Sequence, residues 1–149
     1  MKKIILYVLL LLPWFLSSLF NKCTAYFDML NLPFFAIPKW SYGIAWTILY
    51  ILIAYSIYLV YQEVKFSNKN YNTSLISNYI FNQLYLPLFF CLKNPMLGLI
   101  ISIGILITSL LLYLETSNIS KKASKFLIPY VIFMVYATIL SLAIYFLNL

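Results

Sequence analysis

The sequence predicts an all-α integral membrane protein: a bundle of five transmembrane helices with a structured extracytoplasmic loop between the first two. Three observations predict it. Only 9% of the 149 residues are charged and 64% are hydrophobic, whereas a soluble domain carries roughly 25% charged residues to keep its surface wet. Too few polar side chains exist to cover a water-facing surface, so most of the surface must face lipid. Apolar runs near the length needed to cross hydrocarbon, about 20 residues, recur five times and use up the chain as one domain, residues 1–149. The lysines gather in the short polar stretches between those runs.

The first span is expected from Ile4 to Phe20. Lys2 and Lys3 before an apolar run also suit a signal peptide, but Pro13 and Trp14 interrupt the apolar region and the small-residue pattern near Ala25 is poor. Asn21 to Lys39 is the longest connection. It holds Tyr26, Phe27, Pro33, Phe34, Phe35 and Pro38, which is too aromatic for a solvated linker and predicts a packed cap on the bundle. The second span is expected from Trp40 to Val64, followed by a polar loop over Lys65–Asn72. The third runs from Ser74 to Leu92 and should kink at Pro87. Asn94 is a good N-cap and Pro95 a good first residue for the fourth span, Met96 to Leu114. Thr116 to Ser124 is polar and basic, and the fifth span follows from Lys125 to Leu149 with Pro129 in its first turns.

The net charge of +7 comes from ten lysines and three acids, Asp28, Glu63 and Glu115. Because the lysines punctuate apolar runs, they signal topology rather than nucleic-acid binding. Lys2, Lys3, Lys65, Lys69, Lys121, Lys122 and Lys125 fall on one side, against Lys22, Lys39 and Lys93 on the other. The positive-inside rule then puts the N-terminus in the cytoplasm and the C-terminus outside.

The chain has no histidine, which removes Ser/His/Asp and Cys/His catalysis and imidazole metal ligation. Cys23 and Cys91 lack zinc spacing and read as small buried hydrophobes. Both are expected near the outer face, which leaves open whether they meet. No carboxylate falls mid-span, where a proton-coupled carrier usually needs one. No catalytic, metal or required cofactor site is expected. What remains is shape, aromatic stacking and neutral hydrogen bonding. Ser74, Asn78, Asn82, Tyr85 and Phe89 share one helix face, as do Trp46 with Tyr50, and Tyr130, Phe133, Ala137 and Ser141. Taken singly, such stripes read first as glue between helices; three of them in one small bundle favour a central cavity. Gly98, Ser102, Gly104 and Thr108 read as close-packing positions on the fourth span.

The stretch from Tyr26 to Tyr50 contains an aromatic pair (Tyr26-Phe27), then Leu32-Pro33-Phe34-Phe35, Ile37-Pro38 and Trp40, and ends Trp46-Thr47-Ile48-Leu49-Tyr50. It resembles the signature of the TspO/MBR family, the bacterial tryptophan-rich sensory proteins and the translocator or peripheral benzodiazepine receptor. Asn82 with Tyr85 and Phe89-Phe90, and Pro129-Tyr130 with Phe133, Ala137 and Thr138, resemble its third- and fifth-helix motifs. The resemblance implies five helices around a pocket that opens toward the long first loop. It implies a receptor or carrier for porphyrins and other planar hydrophobic ligands, including isoquinoline carboxamides and benzodiazepines, with a sensor or transport role. By position, the ligand would meet Phe27, Pro38, Trp46, Asn82, Tyr85, Phe89, Phe133 and Ala137. Lys39 at the outer mouth would reach a porphyrin propionate or anchor at the interface.

The family usually has Trp where this chain has Phe34, Phe35, Tyr85 and Phe133, and Pro-Pro where it has Ile37-Pro38. Some members degrade protoporphyrin in light through pocket tryptophans. Of that set only Trp46 stays here, so binding rather than enzyme activity is expected. The animal members' sterol motif needs a basic residue that Leu142–Asn148 lacks. The resemblance also implies a homodimer, for which the third span offers few small residues. Two other classes fit the composition: a small multidrug-type exporter, and a ligand-free bundle that assists a partner complex.

Overall fold

The computed structural model describes residues 2–149, which are helical apart from short connections. α1 (Lys2–Leu11) runs without a break into a 3₁₀ segment (Leu12–Met29). A connection follows, and then α2 (Lys39–Val64), α3 (Lys69–Tyr85) with a π-helical extension (Leu86–Cys91), α4 (Pro95–Ile119), the short α5 (Lys121–Lys125) and α6 (Ile128–Leu147). Four helical stretches among the described residues are long and apolar enough to cross a membrane: Lys3–Met29, Lys39–Val64, Pro95–Ile119 and Lys121–Leu147. With few charges and an apolar exterior, the chain is a multi-pass helical membrane bundle. α3 is more polar than these four, and two of its asparagines, Asn78 and Asn82, are buried in the interior.

Several boundaries differ from those expected. The first helix does not end at Phe20. Asn21–Met29 continues it, so the aromatic connection shrinks to residues 30–38. α3 begins at Lys69 rather than Ser74, because Asn68 is its N-cap and accepts from the Tyr71 backbone N–H at 3.0 Å. α4 runs on to Ile119, and the polar stretch after it folds as α5, capped by Ser120. Asn94 caps α4 as expected, accepting from Leu97 N–H at 3.1 Å. At Pro87 the helix widens to π geometry. This proline has no N–H to continue the α ladder, and the turns beyond it close over five residues: Leu92 N–H donates to Pro87 O and Asn94 N–H to Phe89 O, both at 3.1 Å.

α3, α4 and α6 form the tight part of the bundle. Close approach is possible because of glycine. A Cβ added to Gly104 would lie 2.5 Å from a Phe81 ring carbon, and one added to Gly98 would lie 2.7 Å from the Phe89 ring. α2 is fastened to α5 by Ser56 Oγ donating to Ala123 O at 3.0 Å. The connection 30–38 is strapped to α6. Tyr136 OH donates to Phe35 O at 3.3 Å and receives Ile37 N–H at 3.2 Å. Asn148 pairs with the Asn31 backbone through bonds of 2.9 and 3.0 Å. The cap predicted from its aromatic content is therefore built, in shorter form.

Cys23 and Cys91, whose meeting the sequence left open, are paired rather than free buried thiols. They form a disulfide with Cα atoms 4.9 Å apart across 68 residues of sequence. Cys23 lies on the 3₁₀ segment and Cys91 ends the π-helical extension, so the bond joins the far ends of the first and third helices.

Gly104→Val should lower stability by about 1–3 kcal/mol, because the added side chain would press into the Phe81 ring. Gly43→Ala should stabilise by up to about 1 kcal/mol, since Ala is the better helix former and an added Cβ there meets nothing within 4 Å. Thermal unfolding in detergent measures both.

Candidate functional site

The 3₁₀ geometry explains how the first helix builds a wall. With three residues per turn, every third side chain falls in one straight row. Phe15, Ser18, Asn21, Thr24 and Phe27 form such a row, and all five line a cavity of about 450 Å³. The row Cys23, Tyr26 faces elsewhere, towards the π extension: Cys23 is bonded to Cys91, and Tyr26 meets Phe89 edge-on at 6.3 Å. Opposite, α2 contributes Lys39, Gly43, Trp46, Thr47 and Tyr50 at helical spacing. Asn82, Tyr85 and Phe89 come from α3 and its extension, and Phe133, Met134 and Ala137 from α6.

Seven of the eight residues singled out from the sequence lie in this lining: Phe27, Trp46, Asn82, Tyr85, Phe89, Phe133 and Ala137. Pro38 does not. It is exposed at the N-cap of α2, and the next turn, Lys39 and Trp40, takes the lining positions instead. Sequence reasoning missed the polar residues of the first helix, Ser17, Ser18, Asn21 and Thr24. Their spacing of three was a readable signal, but only for a helix of 3₁₀ pitch.

The walls are aromatic and in mutual contact. Trp46 meets Phe133 edge-on at 5.6 Å and Tyr50 at 5.4 Å, and Tyr85 meets Phe89 at 5.5 Å. These are favourable centroid separations for aromatic pairs. Lys39 is the one charged lining residue among those described, and it is ion-paired to Asp28 at 2.5 Å.

The cavity floor carries a buried polar network. Asn78 Nδ2 donates to Thr108 Oγ1 at 3.0 Å. Tyr130 OH donates to Asn78 Oδ1 at 3.0 Å and receives Asn82 Nδ2 at 2.6 Å. Asn82 Nδ2 also donates to Asn78 O at 3.0 Å. Because every atom facing that amide nitrogen is an oxygen, the reverse amide orientation would set acceptor against acceptor. Asn82 Oδ1 is therefore the atom left out of the network. It is buried and has no partner among the described residues, in a residue 3% exposed. The site thus offers an aromatic slot bordered by a residue with one unpaired, buried acceptor.

The opening is lateral. Six lining residues are exposed: Ser18 and Asn21 on the 3₁₀ segment, and Lys39, Trp40, Gly43 and Thr47 on α2. No residue of the connection 30–38 belongs to the lining, which differs from a pocket opening toward that loop. The straps to Tyr136 and Asn148 hold the connection over the α6 end instead.

Tyr130→Phe should cost about 1–3 kcal/mol, because it leaves the Asn78 and Asn82 groups short of a partner where no solvent can replace it. Detergent unfolding of this variant against wild type measures the loss.

Residues 4–147 match the sequence profile of the TspO/MBR family. The chain is 36% identical over 132 residues to the tryptophan-rich protein TspO of Bacillus cereus, covering 89% of this chain and 86% of that one. It is 33% identical over 120 residues to the tryptophan-rich protein TspO of Archaeoglobus fulgidus, covering 78% and 75%. Against the translocator protein homolog of Schizosaccharomyces pombe the identity is 33% over 141 residues, covering 91% and 84%. With a family match over nearly the whole chain and relatives aligned along most of their length, the chain belongs to the TspO/MBR family.

Proposed function

We propose that this protein is a membrane receptor or carrier that binds porphyrins and similar planar hydrophobic ligands in the lateral cavity, acting by binding rather than by catalysis. The observation that carries the reading is the aromatic lining of the cavity with Asn82 in its wall, a residue whose buried Oδ1 has no partner among the described residues. A buried acceptor without a partner costs about 1–3 kcal/mol, and a ligand bearing an N–H or O–H group recovers that cost. Flat rings between Trp46, Phe133, Tyr85 and Phe89 would supply the apolar contact. A volume of about 450 Å³ suits a small-molecule pocket, and the open side leaves room for the edge of a larger macrocycle. Lys39, at the rim, is placed for a ligand carboxylate in competition with Asp28.

The reading includes α3 as a fifth membrane crossing, its seventeen residues lengthened by the π extension. It also sets the N-terminus in the cytoplasm. Two arguments support that orientation: the lysine asymmetry, and the Cys23–Cys91 bond, since disulfides persist on the oxidising side of a membrane. The connection 30–38 and the rim of the cavity are then extracytoplasmic.

Saturable quenching of tryptophan fluorescence by protoporphyrin IX is the direct test, in detergent. Trp46→Phe should remove a large part of the quenched signal, and Asn82→Leu should weaken affinity by roughly three- to tenfold, the worth of one hydrogen bond. An absence of saturable quenching, or an unchanged signal in Trp46→Phe, sinks the reading.

A further inference from the structure

The lateral opening has a frame on every side. Below, Trp14 and Phe15 touch Tyr50 with ring centroids 5.7 and 5.5 Å apart, and here the first helix and α2 are in contact. Above, Asp28 and Lys39 close the gap with their ion pair. Tyr50 and Lys39 are eleven residues apart on α2, so the opening is about 16 Å tall. One jamb is the 3₁₀ row Ser18, Asn21, Thr24, and the other is Gly43 and Thr47. Gly43 widens it, since a Cβ there would meet nothing within 4 Å.

Two features separate this opening from an ordinary groove between helices. Its edges are polar where the flanking helix surfaces are apolar: Leu16, Leu19, Ile44 and Ile48 are all exposed beside it. Polar groups facing hydrocarbon are costly and gather where they serve a ligand or a cavity. The second feature is the disulfide. Between Phe15 and Phe27 the 3₁₀ segment packs mainly against the π extension of α3, and it meets α2 again only at Phe27–Tyr42 and Asp28–Lys39. Cys23–Cys91 makes that choice covalent, with Tyr26 against Phe89 beside it.

We propose that this window is the doorway by which ligands dissolved in the bilayer reach the cavity, and that the Cys23–Cys91 bond keeps it open by bracing the first helix away from α2. The inference rests on the cavity being a ligand pocket. A planar amphiphile lies in the bilayer with its ring system among the acyl chains and its acid groups at the interface. Sliding edge-on between the jambs keeps its ring out of water and brings its carboxylates past Lys39.

The test is the rate of protoporphyrin IX association with the full chain in proteoliposomes, followed by tryptophan quenching in a stopped-flow instrument. Gly43→Trp should slow association at least tenfold and slow dissociation as well, since a doorway is crossed in both directions. Loss of a ligand contact would instead speed dissociation. Should that variant fail to fold, Thr47→Trp supplies the same block from an exposed position. Cys91→Ser should slow association several-fold, and Phe34→Ala, in the fully exposed tip of the connection, should leave it unchanged. Wild-type rates in the blocked variants, with equilibrium quenching intact, overturn the doorway. A wild-type rate in Cys91→Ser overturns the brace. An equal slowing in Phe34→Ala points to access past the connection and also overturns the doorway. If no ligand binds at equilibrium, the functional reading falls and this inference falls with it.

Discussion

The structure depends on one constraint: amide and hydroxyl groups buried inside a lipid-solvated bundle must find partners within the protein. Asn78, Asn82, Thr108 and Tyr130 meet that constraint together, with donors and acceptors from α3, α4 and α6. A network of this kind has few satisfactory arrangements, since each helix must present its group at one depth and one rotation. It therefore sets the register of three helices at once. The glycines of α4 then decide how closely those helices approach, by admitting the rings of Phe81 and Phe89. Asn82 faces two ways in this scheme. Its nitrogen is spent on the network, its oxygen is left buried without a partner, and the residue stands in the cavity wall, so the element that holds the bundle together also borders the site.

Outside that core the first helix follows different rules. It has no comparable polar anchor. Its inner part is tied to α2 by Tyr7 OH donating to Ile51 O at 3.0 Å and by the contacts at Tyr50. Its outer part is tied to the third helix by the disulfide. Between the two attachments it leaves α2, and the cavity opens where they part. The 3₁₀ pitch serves both ties, because it lays one straight row along the cavity and turns another towards the π extension of α3.

Much of this was legible in the sequence. Apolar runs and their polar punctuation locate the helices, Asn94-Pro95 marks a helix start, and stripes such as Asn78–Asn82 and Trp46–Tyr50 show which faces turn inward. Those signals rest on α-helical periodicity, and they succeed where the backbone keeps it. They fail at Asn21–Met29, where the chain winds at three residues per turn and its polar row has the wrong spacing for an α-helix. Pro38 was misplaced for a related reason, since a motif aligned along sequence does not say which turn of α2 reaches the cavity. The pairing of Cys23 with Cys91 depends on two distant helix ends meeting, which no local pattern encodes. The lateral opening was invisible as well, because it is a divergence between helices and not a property of any residue.

The disulfide also divides the chain into a covalent ring with a tail on either side. The ring runs from Cys23 to Cys91 and contains α2, α3 and the connection before α2, while the first tail holds α1 and most of the 3₁₀ segment. The second tail holds α4, α5 and α6. Phe133, Met134 and Ala137, which complete the cavity wall, belong to the second tail, as do Thr108 and Tyr130 of the network. Closing the ring on a nascent chain would therefore join the first and third helices around α2 while the α6 side is still missing. The cavity is complete only when the final helix docks, which makes the late-synthesised end of the protein the arbiter of whether the early-made part has any pocket to offer.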